Sequence, residues 1–137
     1  MQTIVSGAAA MRAFARGFAA GLRAGDTVGL RGPLGAGKTT LVRAIVHALH
    51  GSDDAVSSPT FVFRQRYDGE PPIEHLDLYR LDNVREVPEL GLDDAFGPDR
   101  IVLVEWPERA PGLLPPGAID VEIAGIGNGP RTITVER

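Results

Sequence analysis

The chain has 137 residues, of which 43 % are apolar and 23 % charged, so it can bury one core and is no disordered solvating polymer. Its net charge of −4 argues against the phosphate backbone of a nucleic acid as its main direct partner, because that requires clustered Lys and Arg. It contains no cysteine, which excludes a disulfide scaffold, a thiolate zinc site and a cysteine nucleophile, and fits a reducing, cytoplasmic setting.

Length and the lack of a linker predict one domain over residues 1–137. Thr3 to Val5 is a short candidate strand. Met11, Phe14, Ala15, Phe18 and Leu22 recur at helical spacing within the Ala-rich stretch from Ala8 to Leu22, predicting an amphipathic helix. Arg12, Arg16 and Arg23 interrupt that stretch, so no membrane span is expected there. Gly25-Asp26 reads as a turn and Thr27 to Arg31 as a strand. A helix is predicted from Lys38 to Leu49, with Leu41, Val42, Ile45, Val46 and Leu49 as its apolar face. Thr60 to Tyr67 and Ile73 to Asp77 read as strands. Pro88 breaks the stretch from Asp82 to Phe96 into two short helical turns. Ile101 to Val104 is the purest buried-strand run and ends in Glu105. Pro107 to Pro116 reads as a Pro-rich loop. Ile119 to Ile123 and Thr132 to Val135 predict a hairpin around Gly127-Asn128-Gly129.

Between the second strand and second helix, Gly32, Gly37, Lys38 and Thr39 match G-x-x-x-x-G-K-[ST]. Such a loop turns successive backbone N–H groups toward phosphate oxygens at a helix N-terminus. Lys38 would reach the β- and γ-phosphates, and the Thr39 hydroxyl would bind Mg²⁺. A Gly-rich strand-to-helix turn can spell this motif by chance. Here the flanks are right, and Lys38 is the sole lysine in a chain that otherwise uses arginine.

A P-loop site needs a carboxylate at the end of a neighbouring buried strand, and Glu105 is placed for it. Asp77 ends another strand; it could position water, act as base, help hold the metal, or cap the next turn. Thr60, in Ser57-Ser58-Pro59-Thr60-Phe61, lies where a loop could close on the γ-phosphate. His75 reads as a structural histidine and Trp106 as packing beside the presumed metal ligand. With one lysine, the N-K-x-D signature of guanine specificity cannot exist. Asp94 to Gly97 spells D-x-x-G, but no buried strand leads into it.

The segments Gly32 to Thr40, Ser58-Pro59-Thr60-Phe61, His75-Leu76-Asp77-Leu78-Tyr79-Arg80-Leu81 and Glu105-Trp106-Pro107-Glu108 occur in that order. Together they resemble the TsaE family, the ATPase component of bacterial tRNA threonylcarbamoyladenosine synthesis, from about Phe14 to Leu114. The resemblance implies a P-loop NTPase-like α/β fold, a central mostly parallel sheet flanked by helices. It implies a slow ATPase using ATP and Mg²⁺, acting with TsaD and TsaB and touching tRNA only through that complex. Carried over by motif, Leu34, Gly35, Ala36, Gly37, Lys38, Thr39 and Thr40 would hold the phosphates, and Thr39 and Glu105 the metal. Lys38, Asp77 and Glu105 would serve catalysis, Thr60 would belong to a switch-like loop, and Trp106 would sit near the site. Two departures stand out: Pro33 where the family often has Asp, and Met11 where it often has a Thr approaching the adenine. The other readings open to the chain are a small P-loop kinase for a metabolite and a nucleotide-dependent assembly module. Arg64, Arg66 and Arg80 are candidates for an arginine finger supplied in cis.

Overall fold

A computed structural model describes residues 1–53 and 63–137. Among them, seven strands form one sheet: β1 (Gln2–Val5), β2 (Thr27–Arg31), β3 (Arg64–Tyr67), β4 (Ile73–Asp77), β5 (Ile101–Glu105), β6 (Ile119–Ala124) and β7 (Arg131–Glu136). Their order is β1-β7-β6-β2-β5-β4-β3. The inner four run parallel, and the outer pairings β1–β7, β6–β7 and β3–β4 are antiparallel. The hairpin expected at the C-terminus is therefore β6–β7, and it also joins β1 to the parallel core.

Helices α1 (Gly7–Ala20) and α2 (Lys38–His50) pack on one face of the sheet. Met11, Ala15 and Phe18 of α1 are buried with Leu41, Val42, Ile45 and Val46 of α2, while Arg12, Arg16 and Arg43 stay exposed, as their spacing predicts. Gly51, in the left-handed region, ends α2 by returning its N–H to His47 O at 2.8 Å. The opposite face is covered by α3 (Glu86–Glu89), a 3₁₀ turn at Leu92–Ala95 and the segment after β5. Pro88 fits inside α3 because a first helical turn leaves its N–H groups unpaired anyway. The Pro-rich stretch, expected to be loop, contains a regular element, a 3₁₀ turn at Pro107–Arg109.

Strand alternation distributes the core between the faces. In β5, Ile101 and Leu103 point toward α1 and α2, and Val102 and Val104 point the other way. Each such fully buried aliphatic side chain contributes on the order of 1.5–3 kcal/mol of transfer free energy. The same period aims Glu105 at the α2 side. It also puts Ile73, His75 and Asp77 of β4 on that face, since Leu76 packs into the opposite cluster.

Candidate functional site

The loop from Gly32 to Gly37 leaves the carboxyl end of β2 and turns into α2. At Gly32 an added Cβ would lie 2.5 Å from the backbone oxygen of Ile123, so β6 approaches too closely for any side chain. The first turn of α2 has no acidic residue, and no side chain among the described residues caps it. Among the described residues, its leading N–H groups thus meet no competing anion at the place where a phosphate would sit.

Register brings the acidic partners to this loop. β4 and β5 pair with His75 opposite Leu103 and Asp77 opposite Glu105. His75 and Glu105 are therefore diagonal neighbours on one face. The Nε2 of His75 lies 2.6 Å from Oε2 of Glu105, both side chains buried. The Thr39 hydroxyl donates to Glu105 with both carboxylate oxygens at 2.9 Å. The other ring nitrogen of His75, Nδ1, is buried and has no partner among the described residues.

The Lys38 ammonium donates to Gly32 O and, at 3.2 Å, to Pro33 O, and sits 4.0 Å from the centroid of the Trp106 ring. Burial pushes its pKa below the ordinary lysine value; the charges of Glu105, Glu108 and Asp77 act in the opposite direction. Trp106 has φ 58° and ψ 48°, the one non-glycine residue with positive φ among the described residues. A bulky residue in that region is strained. Its ring is held between Lys38 and Tyr79, the latter at 5.0 Å between centroids. Asp77 Oδ1 accepts from the N–H of Tyr79 at 3.1 Å. The cap expected as one alternative for Asp77 is therefore formed, and the residue still lines the cavity by the loop.

That cavity, of about 290 Å³, is lined by Leu34 to Thr40 together with Asp77, Tyr79, Glu105 and Trp106. A second, of about 360 Å³, lies on the other side of the loop, where Met11 and Thr40 meet the turn at Gly127 to Gly129. The structure thus gathers Lys38, Thr39, Asp77, Glu105 and Trp106 around one space and puts Met11 in the adjoining one. Thr60 lies outside the described residues. Of the candidate fingers, Arg64 bonds Glu74 and Gly91 O, and Arg66 bonds Asp68. Neither they nor Arg80 line the cavity of Asp77. The arginine that comes nearest in the sequence after β5 is Arg109, stacked 5.8 Å from Trp106 and 5.6 Å from Tyr79. His75, which the sequence suggests is structural, reaches Glu105 directly. Its signal was the two-residue step to Asp77, which puts both on the face of Glu105.

A family model described as "Threonylcarbamoyl adenosine biosynthesis protein TsaE" matches residues 5–133. The chain belongs to the TsaE family. A tRNA threonylcarbamoyladenosine biosynthesis protein TsaE from Rickettsia bellii is 39 % identical over 123 residues, covering 89 % of this chain and 85 % of that protein. The protein of the same name from Streptomyces coelicolor is 47 % identical over 103 residues, covering 72 % and 68 %. The crystal structure of Bacillus subtilis YdiB matches with a TM-score of 0.78 at 31 % identity, over 98 % of this chain and 83 % of that one. A TsaE fold with a P-loop at the carboxyl ends of parallel strands accounts for where the cavity lies.

Proposed function

We propose that this chain is a Mg²⁺-dependent ATPase of tRNA threonylcarbamoyladenosine biosynthesis, working with TsaD and TsaB in the cytoplasm and meeting tRNA through that complex. The observation that carries the reading is the contact of Thr39 with both oxygens of Glu105, beside Lys38, in a chain of the TsaE family. A hydroxyl and a carboxylate already adjacent are hard oxygen donors suited to Mg²⁺, which takes few protein ligands and completes its shell with phosphate oxygens and water. Phosphate oxygens of the nucleotide would supply part of that shell. Bound there by Thr39 and Glu105, the cation would neutralise charge on the phosphates.

The chain's own groups do the rest. The amides of Gly35 to Thr40 and the Lys38 ammonium hold the phosphates, with Leu34 at the exposed tip. His75 fixes the carboxylate of Glu105 in its orientation. Asp77, with Oδ1 tied to Tyr79, is held at the cavity wall where it positions the attacking water. Trp106 shields Lys38 from solvent. Met11 borders the cavity that takes the adenine side.

The test is threonylcarbamoyl transfer to tRNA by TsaD and TsaB over several turnovers, with ATP and this chain. Product formation is expected to continue with the wild-type chain and to stall with Lys38→Ala. Equal product with and without the chain would overturn the reading.

A further inference from the structure

Arg131 opens β7 and lines the second cavity, on the side of the P-loop away from Glu105. No carboxylate pairs with it among the described residues, although Asp and Glu outnumber Lys and Arg in this chain, 18 to 14. Four backbone carbonyls take its donors instead. Nε donates to Ala36 O at 2.9 Å and Nη2 to Gly35 O at 3.3 Å, both in the P-loop. Nη1 donates to Gly129 O at 2.7 Å and Nη2 to Gly127 O at 2.9 Å, both in the β6–β7 turn. One planar fork thus ties the hairpin turn to the outer side of the loop.

The consequence follows from peptide geometry. In a planar trans peptide the N–H points opposite to the C=O. Holding Ala36 O toward Arg131 therefore turns the N–H of Gly37 away from the hairpin, into the concave side of the loop. The cationic partner also polarises that peptide and strengthens its N–H as a donor. The surroundings keep the fork in place. Gly125 has φ +118°, and a Cβ there would lie 2.6 Å from Pro130 O and 3.1 Å from Cδ of Arg131. Only glycine leaves room for this path of the Arg131 stem.

We propose that Arg131 is a positioning residue of the nucleotide site, presenting the Gly37 N–H to a phosphate oxygen and making the C-terminal hairpin part of that site. The inference rests on the P-loop reading above. It is tested on the whole chain with Arg131→Gln and Arg131→Lys, by calorimetric titration with MgADP, thermal melting, and the shift of the Gly37 amide resonance on adding MgADP. Arg131→Gln should bind about tenfold more weakly, the scale of a lost charge-assisted hydrogen bond, with a smaller Gly37 shift. Arg131→Lys should recover only part of the affinity, because one ammonium cannot bridge two segments as a fork does. Binding by Arg131→Gln within about twofold of wild type, on that tenfold scale, would overturn the proposal. Should that variant fail to fold, wild-type affinity and Gly37 shift in a folded Arg131→Lys would overturn it instead. Failure of the wild-type chain itself to bind MgADP would overturn the nucleotide reading beneath it, a separable outcome.

Discussion

Lys38 is buried beside Trp106 with its ammonium bonded to two loop carbonyls, and burial holds that ammonium below its ordinary range. Among the described residues no carboxylate forms an ion pair with it, so its charge is available to phosphates. Lys38→Ala should therefore lower MgATP affinity by at least about tenfold, measured by titration. An affinity near wild type would mean the loop is not a phosphate site. Glu105→Gln and Asp77→Ala separate two roles. The first should weaken hydrolysis through the metal shell. The second should lower kcat more than affinity, because positioning of water matters mainly in the transition state. Both should melt near wild type; loss of folding in either would assign that residue a structural role. The sequence exposed Lys38 because it is the lone lysine inside a spaced motif, and Glu105 because it ends an apolar run. It could not expose the Trp106 backbone, which depends on tertiary contacts with Lys38 and Tyr79.

Elements add constraints that single residues do not show. On the face opposite α2, β3 and β4 share an ion pair, Arg64 Nε to Glu74 Oε1 at 2.7 Å, in which the carboxylate is buried and the guanidinium partly exposed, and the other Glu74 oxygen has no partner among the described residues. Removing Arg64 would leave a buried carboxylate unpaired. Arg64→Ala should cost about 3 kcal/mol in denaturant unfolding, and the double variant Arg64→Met with Glu74→Gln should cost less. Equal stability of wild type and Arg64→Ala would contradict the pair's structural role. At the other side of β2, Arg31 grips Asp120 of β6 through two contacts of 2.8 Å. That grip holds the Asp120 carboxyl below its ordinary value of 3.8, partly opposed by burial. A depressed carboxyl contributes stability above the ordinary value and loses it as pH falls through the depressed one. The melting temperature of Asp120→Asn should thus lie below wild type at neutral pH and converge with it in acid. A gap that persists or widens in acid would contradict this. Helices α1 and α2 were legible from their periodicity, and β5 from its unbroken apolar run. The pairing of β4 with β5 was not, because register is set by packing across the sheet, and with it the meeting of His75 and Glu105 stayed hidden.

At the scale of the whole molecule, the sheet places three parallel strand ends, those of β2, β5 and β4, around one cavity with a phosphate loop, a carboxylate bound to a hydroxyl, and a second carboxylate. The buried central strand and the terminal hairpin were readable from an apolar run and a glycine turn, and the parallel sheet followed from the family resemblance. The strand order was not, since nothing in the chain says that β7 will carry β1 to the edge. No arginine lines the cavity of Lys38 and Asp77 among the described residues. A charge supplied or ordered there by another protein is worth on the order of 10³–10⁵ in turnover in other P-loop enzymes. Supplying such a charge is what the proposed partnership with TsaD and TsaB would add. The direct measurement is phosphate release from MgATP by the chain alone, with TsaD, with TsaB, and with both. The account predicts slow release from the lone chain and a rise of at least about tenfold with both partners present, the low side of that range. Fast turnover by the lone chain, unchanged by either partner, would contradict it.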